Sequence, residues 1–217
     1  MDTSRIYNKW PLAREGFPFI GMGCALTLLF SYLGCLSLSV PAGLLSLFIT
    51  FFFRDPDRKN GAQHKAVLSP ADGKVLRIQR LEGTENALGE PAIKISIFMS
   101  VFNVHVNRIP VRGVIEMVSY RPGRFFPANL DKASEYNERN KIILRTDNSQ
   151  KIVFIQIAGL IARRIACWVG EGDLVEAGQR FGLIRFGSRL EVYLPAICHV
   201  TATQGQKVRA GETVLGY

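Results

Sequence analysis

Arg185-Phe186-Gly187-Ser188-Arg189-Leu190-Glu191-Val192-Tyr193-Leu194-Pro195 reads as a β segment interrupted by a Gly-Ser pair. Before the pair, Phe181, Leu183, Ile184 and Phe186 are apolar. After it, Leu190, Val192 and Leu194 alternate with Arg189, Glu191 and Tyr193, the period of a half-buried strand. Glycine inside a strand weakens it, so its presence points to a bulge, a bend or a strained backbone. It also lets a neighbouring group come close to the Gly187 carbonyl. On spacing alone, the economical reading is a bulge carrying a solvated serine.

The residues on either side of this stretch repeat. Gly172-Asp173-Leu174-Val175-Glu176-Ala177-Gly178 and Gly205-Gln206-Lys207-Val208-Arg209-Ala210-Gly211 share the pattern G-x-x-V-x-A-G. Glycines at such corners permit positive φ where short strands turn. The pattern resembles the turns of barrel-sandwich hybrid folds such as lipoyl and biotinyl carrier domains. No Met-Lys-Met lies between the repeats, which argues against a lipoyl or biotinyl acceptor. Further β signals precede the repeat. Val75–Leu81, Ile93–Met99, Val104–Val118, Lys141–Thr146 and Lys151–Ala158 read as strands, with Gly, Pro, Asn and Asp between them. The expected fold is α+β and mostly β: an N-terminal apolar helical hairpin, residues 1–60, then a β-rich, barrel-sandwich-like domain, residues 61–217.

The hairpin is expected because no charged residue occurs from Phe17 to Phe53. The run begins too late for a secretory signal and has no small-residue cleavage site after it. One bilayer crossing takes about 20 apolar residues, so the run is too long for one span and slightly short for two. Gly34 and the Ser-Val-Pro-Ala-Gly run around Pro41 offer a turn. Lys9 and Arg14 flank one end, and Arg54, Arg58 and Lys59 the other, which places both ends in the cytoplasm. A single helix plus a buried core segment, or an interfacial hairpin, are the alternatives. The long polar insertion Arg121 to Asn140 carries Phe125 and Phe126 between arginines. It suits contact with a membrane or a lipid as well as it suits an exposed loop.

The net charge of +9 favours an anionic partner, nucleic acid or an anionic lipid surface. The basic residues are scattered, with no recognition helix or aromatic RNA motif, so nucleic acid is disfavoured. Four cysteines form no C-x-x-C pair and no cluster with histidine, so neither a disulfide framework nor a metal site is expected. The chain has no nucleophile elbow, P-loop, G-x-G-x-x-G or H-E-x-x-H.

Three histidines limit the general bases. His64 lies in a polar linker and His199 in a late strand. His105 lies in Val104-His105-Val106-Asn107-Arg108, on the face opposite the valines and shared with Asn103 and Asn107. A lone histidine is more often structural than catalytic. Asp72, in Ser69-Pro70-Ala71-Asp72-Gly73, is first a turn residue. Its functional reading is a carboxylate that orients a histidine, and a Ser-His-Asp set is recognised by geometry rather than by chain order.

Taken together, these residues resemble the short form of phosphatidylserine decarboxylase, a pyruvoyl-dependent family, over nearly the whole length. The resemblance rests on the apolar tract ending Phe52-Phe53-Arg54-Asp55-Pro56, on Ser69-Pro70-Ala71-Asp72-Gly73, and on Val104-His105-Val106-Asn107-Arg108. Asn137-Glu138-Arg139-Asn140 and Arg185-Phe186-Gly187-Ser188-Arg189 complete it. Two departures from the long form stand out: Phe-Gly-Ser-Arg replaces Leu-Gly-Ser-Thr at the matching bond, and Phe102 takes a position where some members carry a second histidine.

The resemblance implies that Gly187–Ser188 is cut by the chain itself. Ser188 Oγ attacks the Gly187 carbonyl, β-elimination follows, and Ser188 becomes a pyruvoyl group, the covalent cofactor. His105 would be the base and Asp72 its orienting carboxylate. The products would be a large chain, 1–187, and a small chain, 188–217, which stay associated. The substrate would be phosphatidylserine, joined to the pyruvoyl through a Schiff base and decarboxylated to phosphatidylethanolamine in phospholipid biosynthesis. Residues binding its carboxylate are not identified by the resemblance. The expected place is the cell membrane, with the catalytic domain on the cytoplasmic side; homo-oligomerisation is left open. Two other readings compete: a membrane-anchored adaptor with a barrel-sandwich domain, and a serine hydrolase acting through an intact Ser188.

Overall fold

In the computed structural model the described residues are 1–58, 66–128, 136–160, 164–185 and 187–217. His64 and Phe186 lie outside them. Two compact units are present: Asn8–Asp57, and Met1–Tyr7 together with Arg58–Tyr217. The first residues join the second unit. The Met1 amine pairs with Asp173 at 3.2 Å, and the Asp2 N–H donates to the Trp168 carbonyl just ahead of the short helix α1, Thr3–Ile6.

The unit Asn8–Asp57 is the expected hairpin. α2 spans Phe17–Tyr32 and α3 spans Leu36–Phe52, with Gly34 at φ +72° in the turn. The run around Pro41 is not the turn; Pro41 lies inside α3. The helices meet along small and hydroxyl residues. Ser31 and Ser39 hydroxyls are 2.6 Å apart, Thr27 and Ser46 hydroxyls 3.5 Å apart, and Gly23 leaves room for Ser46. Leu26, Leu28, Leu29, Leu36, Leu44 and Leu47 are exposed. An apolar exterior over a small, hydroxyl-bearing interface is the reverse of a water-soluble hairpin. Among the described residues no helix is long and apolar enough to cross a membrane. At its base Phe53 stacks on Phe19 at 5.8 Å, and the Asp55 N–H bonds the Pro11 carbonyl.

The second unit is mostly β, as expected. Its strands are β1 Val67–Leu68, β2 Gly73–Leu81, β3 Ala92–Met99, β4 Val106–Arg108, β5 Gly113–Arg121, β6 Arg139–Thr146 and β7 Lys151–Ala158. They continue as β8 Ile165–Cys167, β9 Leu174–Val175, β10 Arg180–Ile184, β11 Ser188–Pro195, β12 Lys207–Val208 and β13 Val214–Gly216. The reading of one strand from Val104 to Val118 is corrected: β4 ends at Arg108, where Pro110 has no N–H for a ladder, and β5 begins at Gly113. His199 lies outside the strands too, exchanging main-chain hydrogen bonds of 3.0 Å with Tyr217.

The large sheet runs β12-β2-β3-β11-β7-β6-β5-β9. This order is a four-strand unit written twice about an axis between β11 and β7. β12 joins β2 at Val208↔Gly73, as β9 joins β5 at Val175↔Gly113, and β2 and β5 carry a bulge at equivalent places. The two G-x-x-V-x-A-G corners are the visible trace of this duplication. Their glycines stand at φ +82°, +79°, +87° and +73°. Ser69–Gly73 has its counterpart in Ile109–Gly113: the Leu68 N–H donates to the Pro110 carbonyl and the Arg108 N–H to the Pro70 carbonyl. The halves differ where chemistry is expected, with Asp72 opposite Arg112 in this correspondence.

A small sheet, β4-β10-β8, packs on one face of the large one. Phe154 of β7 meets Phe181 of β10 at 4.9 Å, and Ile95, Ile97, Ile142, Leu183, Leu190 and Val192 fill the layer without exposure. Each such side chain stabilises the fold by about 1.5–3 kcal/mol through burial. β11 is central and buried along its whole length, not half-buried. Its second face holds Arg189, Glu191 and Tyr193, and their charges are matched there. Glu191 takes Arg189 at 3.1 Å, Lys94 at 3.0 Å and the Tyr193 hydroxyl at 3.0 Å, while Arg189 donates to Ser96 at 3.0 Å. Burial, and then the Glu191 carboxylate, push the Tyr193 hydroxyl well above its ordinary pKa.

Candidate active site

Ser188 is the first residue of β11 and is fully buried. It stands between Met99, the last residue of β3, and Ala158, the last of β7. Its Oγ donates to Met99 Sδ at 3.2 Å. Gly187 before it has φ +70°, in the left-handed region that disfavours any residue with a β-carbon. Beyond its chain neighbours, a β-carbon on Gly187 would meet nothing within 4 Å. Glycine here therefore answers to backbone conformation, whereas the sequence suggested a need for room.

His105 follows the turn that leaves β3. Asn103 closes that turn by accepting the Ser100 N–H at 2.9 Å and the Ser100 hydroxyl at 2.8 Å. The Asn103 carbonyl lies 3.0 Å from His105 Nδ1. A carbonyl can only accept, so the neutral ring carries its proton on Nδ1 and its lone pair on Nε2. That is the tautomer of a general base acting through Nε2. The His105 carbonyl accepts from the Ile184 N–H at 3.3 Å, which ties the residue to the end of β10 just ahead of Gly187.

Asp72 sits in the turn entering β2. One carboxylate oxygen accepts the Ala210 N–H at 2.8 Å from the second repeat corner, and the other pairs with Arg58 at 2.9 Å. Arg58 also pairs with Glu212 at 3.1 Å. The sheet thus gathers the entry to β2, the ends of β3 and β7 and the start of β11 at one end. Asp72 and Ser188 stand at the ends of β2 and β11, the two strands that flank β3, with His105 on the turn leaving β3. Within that end, Asp72 and the His105 ring each have hydrogen-bond partners of their own, the former Ala210 and Arg58, the latter Asn103.

Sequence reasoning missed a line of buried amides below Ser188. Asn140 donates to Gln156 at 3.1 Å, Gln156 donates to Asn107 at 2.9 Å, and Asn107 Nδ2 lies 3.7 Å from the same Met99 sulfur that Ser188 bonds. All three amides are buried. The available signal was polar residues at inward positions of strands, Gln156 between Ile155 and Ile157. Asn137, from the same short motif as Asn140, holds the end of β7 through the Ala158 carbonyl at 2.7 Å. Cys167 lies nearby on β8, and burial pushes its thiol pKa up, which makes it a poor nucleophile. Among the described residues no group of His, Cys, Asp and Glu could hold a metal ion.

The sequence model of a family described as phosphatidylserine decarboxylase matches residues 45–216. A phosphatidylserine decarboxylase proenzyme of Syntrophus aciditrophicus is 52% identical over 211 residues, covering 94% of this chain and 96% of the relative. Proenzymes of the same description from Desulfotalea psychrophila and Ralstonia nicotianae are 48% and 46% identical, each covering at least 95% of this chain and 96% of the relative.

Proposed function

The chain belongs to the phosphatidylserine decarboxylase family, and on that premise we propose that it removes the carboxyl group of phosphatidylserine to give phosphatidylethanolamine at a membrane. It is a decarboxylase of phospholipid synthesis made as a proenzyme. In the proposed maturation the Gly187–Ser188 bond is cut by the chain itself. Ser188 Oγ forms a bond to the Gly187 carbonyl carbon, the C–N bond breaks, and the hydroxyl proton passes to the freed amine. His105 Nε2 then takes the Ser188 Cα proton, and the Cβ–Oγ bond breaks to release the Gly187 carboxylate. Water replaces the resulting enamine nitrogen as ammonia, leaving a pyruvoyl group.

The observation that carries this reading is the placement of Ser188. It is buried, it follows a left-handed glycine, and it begins a strand whose two neighbours come from the chain before the cut. β11, β12 and β13 of the small chain pair with β3, β7, β2 and β1 of the large chain, so cutting leaves one continuous core. The pyruvoyl group keeps the carbon skeleton of the serine that forms it, so the space that holds Ser188 accommodates it. There it would supply an electron sink for loss of carbon dioxide. Asp72 holds the entry to β2 through Ala210 and Arg58, and His105 presents a lone pair on Nε2.

The apolar hairpin would anchor the enzyme in the cell membrane. α2 and α3 have 16 and 17 residues, about 24–26 Å of helix, against a hydrocarbon layer of about 30 Å. Basic residues flank both ends, which favours the catalytic unit on the cytoplasmic side, and the net charge of +9 draws anionic lipid to it.

Intact mass under denaturing conditions tests the proposal. Two fragments are expected, the smaller blocked to N-terminal sequencing, with carbon dioxide released from phosphatidylserine vesicles. Ser188→Ala should abolish cleavage and release together. A single uncut chain of 24.2 kDa that still releases carbon dioxide would refute it.

A further inference from the structure

Gly159 follows β7 directly, next to the Ala158 that pairs with Ser188. A β-carbon built at 159 would overlap the Gly187 carbonyl oxygen and stand 3.0 Å from the Gly187 carbonyl carbon. Real β-carbons do not come that close, and the obstacle is backbone, which cannot rotate away as a side chain would. The third neighbour is the Ala128 β-carbon at 3.3 Å. The Cα of Gly159 is therefore the surface against which the Gly187 carbonyl lies.

That surface is fixed from behind. Asn137 is 1% exposed, and its Nδ2 donates to the Ala158 carbonyl at 2.7 Å and the Phe126 carbonyl at 2.8 Å. Its Oδ1 accepts the Phe126 N–H at 2.8 Å. One buried amide thus clamps the peptide between Ala158 and Gly159 to the neighbouring loop.

We infer that Gly159, held by Asn137, is the seat of the scissile carbonyl, and that both are positioning residues for self-cleavage. The inference rests on the reading that Gly187–Ser188 is the bond cut. The carbonyl carbon beside Gly159 is the atom that Ser188 Oγ attacks. A side chain at 159 forces the Gly187 peptide aside and takes that carbon off the line of attack. A misplacement of about 1 Å costs roughly 100-fold in rate.

The test uses the full chain made by cell-free translation, with cleavage followed by denaturing electrophoresis before and after hydroxylamine, which splits an ester. Gly159→Ala should be cut about 100-fold more slowly, and hydroxylamine should release no small chain, because the ester does not form. Asn137→Asp keeps the acceptor and loses both donors; it should also slow ester formation. Gly170→Ala is the control, since a β-carbon there meets only Asp173 at 4.0 Å. It should be cut at the wild-type rate. Thermal melts in a Ser188→Ala background show whether each variant folds. If Gly159→Ala does not fold, Asn137→Asp carries the test, and its cutting at the wild-type rate overturns the inference. A folded Gly159→Ala that is cut at the wild-type rate, or that accumulates a hydroxylamine-sensitive ester, overturns it as well. An uncut wild-type chain would overturn the cleavage reading itself, and the inference with it.

Discussion

Replacing Gly187 separates two reasons a glycine can precede Ser188 at the proposed cleavage point. The residue holds φ +70°, and a β-carbon there would meet nothing within 4 Å beyond its chain neighbours. Steric room is thus not the constraint; the left-handed backbone is. For alanine that conformation costs about 1–2 kcal/mol, whereas asparagine is several-fold enriched in it. If attack by Ser188 requires the observed backbone, Gly187→Ala should slow cleavage by about 5–30-fold, and Gly187→Asn by less. Pulse-labelled chain, chased and resolved under denaturing conditions, gives the rates. The same substitutions in a Ser188→Ala background, where nothing is cut, give the folding cost by thermal melting. Cleavage of Gly187→Ala at least as fast as Gly187→Asn, at equal stability, would show that conformation is not what glycine provides.

Other outcomes follow from the same geometry. Arg58→Met should destabilise the uncut Ser188→Ala chain by about 3 kcal/mol in urea titrations, because among the described residues Asp72 then keeps the Ala210 N–H alone; Asp72→Asn should make the Arg58 substitution much less costly. Gln156→Leu leaves an Asn140 donor and an Asn107 acceptor without partners in the core. A loss of about 2–4 kcal/mol is expected, and a change under 1 kcal/mol would show that the buried amides are not coupled to the fold. Tyr193→Phe should cost about 1 kcal/mol at pH 8. Because the folded pKa of Tyr193 lies above its ordinary value of 10.0, the advantage over the variant is complete below pH 10 and shrinks as pH rises further. Paired denaturation curves at pH 8 and above pH 10 would expose an advantage that fails to shrink.

The hairpin, the β-rich domain and the pair of glycine corners were legible along the chain. Each is a local pattern: an uncharged apolar run, alternation of period two, and glycine where φ must be positive. The chain did not reveal that the corners are two ends of a duplicated sheet. That requires β12 and β9 to pair with β2 and β5, contacts between residues far apart in sequence. Nor could alternation show that the charged face of β11 is buried, since Arg189 and Glu191 look solvent-facing until Lys94 and Tyr193 are placed beside them.

Motifs nominate Ser188, His105 and Asp72 as candidates, but they do not give the relation between them. Residue type says which group can attack, accept a proton or carry charge. It does not say that His105 gives its Nδ1 proton to the Asn103 carbonyl, or that Asp72 is engaged by Arg58 and Ala210. The same holds for Gly187 and Gly159. By itself the sequence determined that a glycine stands before the serine. Only the tertiary structure decided that this glycine supplies a backbone angle, while a second glycine on β7's exit supplies the space. The physical reason is that φ belongs to one residue, whereas room for a carbonyl belongs to whichever strand the sheet lays against it.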